Sequence, residues 1–415
     1  MSMSASSSAS SDPSSGAAVA QAPGKARIAL VLSLLLGLQP VTTDLYLPAL
    51  PQLTRALGAS MSMAQQTMAA LLLAFGISQL VWGPVADRVG RRPVLLWGLS
   101  LYALASLACA LAPNAETLVL ARFTQGLGMG AAVVCARALV RDLYEPLEGA
   151  RVMAWGMTGL GVLAIASPTL GGAVTALAGW RVALAVVALI GCLVLGFIFW
   201  RLPETAPQRR RDATRPAVLL ANLRHIGGHR VFVAWAMLTG CSYAGLFTML
   251  ASSSFVYIDV LGVSPAAYGL LLASNSLAYI AGTFVCRRWV PRFGPIGAVQ
   301  RAAFLTLVGG ASMAALTALG VHTVWAIALP QVLFALGHGV HQPVAQAAAV
   351  GPFPAQAGTA SALAGFLLAA MAYLIGLWLG VALDGTVRPL TYGVGLWSLI
   401  IGTVAWTLVR GLRRG

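Results

Sequence analysis

Of the eleven acidic residues in this chain, Asp44 alone falls well inside a long apolar run. A carboxyl group placed there can hold or release a proton, according to whether apolar surroundings or a cation lie nearest. An ionisable side chain among apolar residues is costly, so its presence is a functional signal by default. Asp44 belongs to Thr42-Thr43-Asp44-Leu45-Tyr46-Leu47-Pro48-Ala49-Leu50-Pro51. Pro48 and Pro51 break the backbone ladder just beyond it, and Thr42 and Thr43 can satisfy freed carbonyls or line a wet cavity. A helix-end carboxylate in contact with water is the plainer alternative.

The cation that could answer Asp44 is Arg122, in Arg122-Phe-Thr-Gln125-Gly126-Leu-Gly128-Met-Gly130. Gln125 and Gly126 follow at helical i+3 and i+4, giving a face that is polar and then bare enough for another helix to approach. Snorkelling outward, or pairing with Glu116, is the competing reading of this arginine. Arg137 and Arg141 stack at i, i+4, where the helix C-terminus is enough to account for them.

Two further stretches carry backbone chemistry. Between two apolar runs lies Gly83-Pro-Val-Ala-Asp87-Arg88-Val-Gly90-Arg91-Arg92-Pro93, read as a short structured loop. Gly83 would let helices approach, Asp87 suits a turn or helix end, and Gly90 permits a conformation other residues resist. Arg88, Arg91 and Arg92 resist crossing a bilayer. The other stretch holds Gly156, Gly159 and Gly161, then Ser167-Pro168-Thr-Leu-Gly171-Gly172, small residues with one proline, suited to a kinked and closely packed helix.

The second half offers Asn275, His338, His341, Gln342 and Gln346 for a central cavity, which Tyr46 and Gln125 could also line. Aromatics such as Tyr243 and Phe247 could form a pocket for flat, lipophilic compounds, although most aromatics in such runs simply pack. Two histidines at i, i+3 with no third ligand nearby do not make a metal site. No Ser/His/Asp set, paired carboxylates, phosphate loop or cofactor motif appears, so neither an enzyme nor a bound cofactor is expected.

The elements that must position these residues follow from composition. With 415 residues, 59% hydrophobic, 9% charged and mean hydropathy +0.83, the chain has too little polar surface for a soluble globule and reads as an all-α integral membrane protein. The net charge of +15 does not indicate nucleic-acid binding, because the arginines lie between apolar runs rather than along one face. The five cysteines fall within apolar runs without a CxxC pair and read as small hydrophobes. Twelve runs of about 20 residues, each enough to cross the hydrocarbon core, begin after Lys25. All but five of the 26 lysines and arginines (Arg55, Arg122, Arg137, Arg181 and Arg388) fall on the side that also holds both termini, which is therefore expected to be cytoplasmic.

The organisation expected is a disordered tail over 1–25, a six-helix bundle over 26–202, a solvated linker over 203–230 with Arg209-Arg210-Arg211, a second bundle over 231–410 and a tail over 411–415. Arg292-Phe-Gly294 echoes Arg88-Val-Gly90 at the equivalent point of the second bundle, as parallel repeats would.

The Gly83–Arg92 stretch matches every specified position of G-x-x-x-D-[RK]-x-G-[RK]-[RK], the signature loop of the major facilitator superfamily of membrane transporters. With Thr43 to Pro51, Arg122 to Gly130, Arg137 to Asp142, Gly179-Trp180-Arg181 and Leu202-Pro-Glu204-Thr205, the first half resembles the Bcr/CflA branch of twelve-span drug:proton antiporters. Ser167-Pro168-Thr-Leu-Gly171-Gly172 is similar to the antiporter motif G-P-x-x-G-G, with Ser167 in place of its first glycine. The resemblance implies two pseudo-symmetric bundles, an inner-membrane location and export of lipophilic drugs or antibiotics in exchange for protons. It also implies a link between Arg122 and proton transfer. Asp44 is expected to carry the proton, and Asp87 to cap or pair across the two bundles on the cytoplasmic side, stabilising the outward-open state. A monomer is expected, in contact with lipid. A transporter of one metabolite or natural product, or a membrane receptor that moves nothing, remains open from the residues alone.

Overall fold

Long apolar stretches become helices because, in lipid, each backbone N–H and C=O must find a partner within its own segment. In the computed structural model, which describes residues 24–205 and 216–412, eleven helices are long and apolar enough to cross a membrane. One of them, α10 (Pro265–Ala318), runs for 54 residues and breaks at Gly294, whose φ of 70° and ψ of 169° are not helical. It therefore supplies two passes, which brings the count to the expected twelve.

The first pass is itself interrupted. α1 (Lys25–Thr43) stops one residue before Asp44, and the chain resumes as a 3₁₀ turn at Leu47–Ala49 and the short α2 (Leu50–Ala56). Pro48 has no N–H to offer the Asp44 carbonyl, so the ladder fails where the acidic residue sits. α3 (Met61–Val89), α4 (Arg91–Leu111), α5 (Ala115–Leu143), α6 (Pro146–Ala178) and α7 (Trp180–Arg201) complete the first half. The second half comprises α9 (Arg230–Ser254), α10, α11 (Val324–Val350), α12 (Ala357–Ala382) and α13 (Arg388–Val404).

Between the halves, the segment read as a linker contains a further helix, α8 (Pro216–Gly227), with Ile226 buried and Asn222 Oδ1 accepting from Gln356 Nε2 at 3.0 Å. Arg209, Arg210 and Arg211, like residues 1–23 and 413–415, lie outside the described residues.

The stretch from Gly83 to Pro93 is barely a loop. α3 continues to Val89 and α4 begins at Arg91, leaving Gly90 alone between them with φ 115°. One residue in the left-handed region turns the chain, and only glycine adopts that conformation without strain. The expectation that Gly83 brings helices together is not met, for no atom lies within 4 Å of where its Cβ would be. Close approach happens elsewhere: a Cβ on Gly128 would lie 2.6 Å from the Gly98 carbonyl oxygen, and one on Gly126 would strike the Leu71 carbonyl.

The halves meet along two seams of small residues. On one, Gly76 of α3 packs against Ala369 of α12, and Gly376 of α12 against Ala69. On the other, Gly172 of α6 lies under Pro265 and Ala266 of α10, while Gly269 of α10 lies on Pro168. Such contacts hold helices together by close packing where no hydrophobic drive acts. The outward faces are apolar and exposed, as at Leu104, Leu177, Trp200 and Val381, as lipid requires. Four cysteines are buried as expected, and Cys192 instead joins Leu189 and Leu193 on this outer face.

Candidate functional site

Asp44 stands where α1 breaks, half-buried, at the joint between the two halves. Thr43 Oγ1 lies 2.8 Å from Asp44 Oδ1 and 3.0 Å from the Gln39 carbonyl, so its single proton can serve either acceptor. No ion pair forms to Asp44 among the described residues. Across the joint, α9 and α10 of the second half pack against the 3₁₀ turn that follows Asp44. Gly171 of α6 packs on the Leu45 carbonyl beside it, and Ser167 and Pro168 are buried one turn away. The Ser167–Gly172 motif thus touches both the Asp44 break and the α10 seam.

Arg122 lies on the other side of the same break, wholly buried inside the first half. It neither snorkels nor pairs with Glu116, and it does not reach the Asp44 carboxylate. Its Nη1 donates to the Thr42 carbonyl at 3.2 Å and to Gln125 Oε1 at 2.9 Å, while its guanidinium sits 3.7 Å over the Tyr46 ring. Gln125 Nε2 passes the network to Ser106 Oγ at 2.7 Å. Thr42 Oγ1 lies 2.5 Å from the Leu38 carbonyl, which can only accept; with that proton committed, Tyr102 OH donates to Thr42 at 2.6 Å. Arg122 Nε and Nη2 have no hydrogen-bond partner among the described residues. A buried cation with two idle donors is an incomplete arrangement.

The arginine-rich end carries a tight cluster. Arg91, 5% exposed at its side chain, lies 2.7 Å from Asp87 and 2.8 Å from Asp142, and Arg141 approaches Asp87 at 3.6 Å. These partners all belong to the first half, so in this conformation Asp87 pairs within its own bundle, which leaves its expected part in the outward-open state untouched. Its nearest cations follow it by four residues and from α5, which satisfies the carboxylate locally.

Glu204 is the functional neighbour that the sequence names without revealing its part. Its carboxylate accepts from the N–H groups of Arg91 at 2.9 Å and Arg92 at 3.3 Å, capping α4. Arg92 returns the favour by donating to the Leu202 and Phe199 carbonyls at 2.8 and 2.9 Å, at the end of α7. Arg88 is exposed at the same end. A Cβ on Gly90 would meet the Glu204 carboxylate. Gly90→Ala is therefore expected to destabilise the fold by about 1–3 kcal/mol through φ alone. Gly83→Ala, in open helical space, should be neutral or stabilising by up to about 1 kcal/mol. Thermal unfolding of both variants in detergent checks the contrast, and equal shifts would refute it.

The residues proposed for one cavity are not brought together. Tyr46 and Gln125 are enclosed in the first half, with Tyr46 OH bonded to Thr67 Oγ1 at 2.6 Å. Tyr243 stacks on Phe247, Asn275 accepts from Gln331 Nε2 at 3.2 Å, and His338 meets Ser242. None of these lines the cleft of about 930 Å³ between the arginine-rich ends of α1 and α6, whose walls include Leu30, Ser33, Trp155 and Val162 and whose mouth holds the Lys25–Glu148 pair. Hydropathy locates apolar helices but cannot say where two of them part. At the opposite end, Arg55 bridges the halves to Asp259 at 2.7 Å, and Gln65 Nε2 donates to the Ala251 carbonyl at 2.8 Å. On α5, Arg137 also crosses between halves, donating to Ser361 Oγ of α12 at 2.9 Å rather than merely closing its own helix.

The Major Facilitator Superfamily model matches residues 32–377. The chain is 33% identical over 339 residues to multidrug resistance protein D of Escherichia coli (strain K12), covering 81% of this chain and 84% of that one. It is 31% identical over 382 residues to a chloramphenicol resistance protein of Pseudomonas aeruginosa, covering 89% and 88%. It is 38% identical over 277 residues, 66% of this chain and 68% of the other, to an uncharacterized MFS-type transporter of Bacillus subtilis (strain 168). Among solved structures, a D-xylose-proton symporter superposes with a TM-score of 0.73 at 17% identity, over 92% of this chain and 97% of that one, a likeness of fold.

Proposed function

Since the chain belongs to the major facilitator superfamily, we propose that it exports small lipophilic drugs across the bacterial inner membrane in exchange for protons. The observation that carries this reading is the placement of Asp44. The one carboxyl group well inside the spans stands at the joint between the halves, with no cation paired to it among the described residues, α9 and α10 of the second half opposite and Arg122 behind. A group so placed can feel both a proton and a substrate.

In this mechanism the two halves, 26–202 and 231–410, rock about a central site. The halves are tied by Arg55–Asp259 at one end and by Arg137–Ser361 toward the other, and the α1/α6 cleft, within the first half, opens at the arginine-rich end. With both termini cytoplasmic, a lipophilic molecule reaches the cleft from the inner leaflet. Its walls are apolar and its mouth is charged, which suits such compounds. A proton arriving from outside neutralises Asp44 and releases the drug there. The two ligands need differ only in which state they favour for one to drive the other. The cluster of Asp87, Arg88, Arg91 and Arg92 keeps α3, α4 and α7 moving as one body, while Gly126, Gly128 and the Ser167–Gly172 motif keep the packed surfaces smooth enough to shift.

The test is reconstitution of the purified protein in liposomes with an imposed pH gradient and a panel of lipophilic drugs. Accumulation of several compounds that stops when the gradient is collapsed supports the proposal. Movement of one metabolite alone would replace it with a dedicated transporter, and binding without movement would replace it with a receptor. Light scattering of the detergent-solubilised protein checks the monomer, and a reporter fused after Gly415 checks the cytoplasmic side.

A further inference from the structure

Two histidines of α11 meet one hydroxyl in the middle of the second half. Ser242 Oγ of α9 lies 2.8 Å from His338 Nδ1 and 3.2 Å from His341 Nδ1, and His341 Nε2 lies 3.2 Å from the Val299 carbonyl. Both rings are buried, with His341 fully enclosed and His338 2% exposed. Neither has a carboxylate among its hydrogen-bond partners. A single imidazolium with no carboxylate partner in apolar surroundings would already be very costly, so each imidazole is neutral here.

The hydrogen-bond inventory then fixes every proton. A carbonyl only accepts, so His341 carries its proton on Nε2 and leaves Nδ1 bare. Ser242 has one proton and gives it to that bare nitrogen. Its oxygen is left to accept, so His338 carries its proton on Nδ1. The chain runs His338 Nδ1–H to Ser242 Oγ–H to His341 Nδ1, and ends at Val299. His338 Nε2 is therefore a lone-pair acceptor with no partner among the described residues. The residue retains a small exposure, 2%. Its ring lies 5.6 Å from that of Tyr279 on α10.

We infer that His338 Nε2 is a substrate-binding acceptor in the second half, held in that tautomer by Ser242 and His341, and that it takes a hydroxyl donor of the transported molecule. This deepens the efflux reading and rests on it. A lipophilic substrate would lie against aromatic rings such as Tyr279 and be oriented by one hydrogen bond. His341 acts only through Ser242 and is a positioning residue.

Two measurements on the full-length protein in lipid nanodiscs test this. Nitrogen-15 NMR of histidine-labelled protein, whose 5 histidines are assigned by single substitution, reads the tautomers directly. His338 should show a bare Nε2 and His341 a bare Nδ1, with Ser242→Ala returning His338 to a mixture. A proton found on His338 Nε2 overturns the inference. The second measurement compares binding of chloramphenicol with its diacetate, in which both hydroxyl donors are removed. Wild type should prefer chloramphenicol by about tenfold, the worth of one good hydrogen bond, beyond whatever bulk contributes. His338→Phe should lose that preference, and Ser242→Ala, which leaves the ring in place, should lose part of it. An unchanged preference in both variants counts against His338 alone. Failure of wild type to bind either compound counts against the efflux reading for this class of molecule and against His338's part in it.

Discussion

Asp44→Asn is expected to abolish gradient-driven drug accumulation, by about 100-fold or more, while leaving the fold intact. The substitution keeps the shape and the acceptor for Thr43, and removes only the capacity to exchange a proton. Coupling between two ligands is typically about 1–3 kcal/mol and must be reciprocal. If proton and drug compete through Asp44, drug affinity in wild type should rise as pH rises and the carboxyl group empties. The asparagine variant resembles the protonated state permanently, so its affinity should be low and flat with pH. Asp44→Glu should restore part of the pH dependence. Binding isotherms over a pH series decide the matter: a variant that keeps the wild-type pH dependence places the proton elsewhere, whatever its transport rate.

The residues from which that prediction starts were readable in the sequence because hydropathy and charge are local properties. Twelve passes, the acidic residue among them and the break made by Pro48 and Pro51 all follow from a window of a few tens of residues. The paired turns at Gly90 and Gly294, with φ of 115° and 70°, likewise stand where the repeated Arg-x-Gly triplets pointed. Partners are a different matter. Glu204 caps a helix more than a hundred residues earlier, Arg137 bonds to Ser361 in the other half, and Arg122 lies over Tyr46 rather than against a carboxylate. Each pairing depends on which helix faces come together, and no spacing within one helix encodes that. Gly83 shows the same limit from the other side, since a glycine inside a matching motif had nothing to approach. The α1/α6 cleft was invisible for the related reason that empty space between helices leaves no mark on either.

Arg122 offers the sharper separation of structure from function. A buried guanidinium costs several kcal/mol in desolvation, and here the return is incomplete. Its stacking on Tyr46 contributes about 0.5–2 kcal/mol. Its two hydrogen bonds, charge-assisted on the donor side, add about 1.5–3 kcal/mol each, which at best offsets that cost, and Nε and Nη2 return nothing among the described residues. The sum does not make this arginine a stabilising residue. Arg122→Leu should therefore unfold within a few degrees of wild type, with the loss at Gln125 and Thr42 offset by relief of the buried charge. Transport should nonetheless fall by about 100-fold or more, because the idle donors are then idle for a reason: they are kept for a carboxylate or substrate that arrives in another conformation. Arg122→Lys keeps the charge but loses the planar fork and its stacking, and should recover little. Thermal unfolding measured beside liposome transport separates the cases. A strong loss of stability in the leucine variant would return Arg122 to the architecture of the first half, and wild-type transport in it would remove this residue from the coupling mechanism.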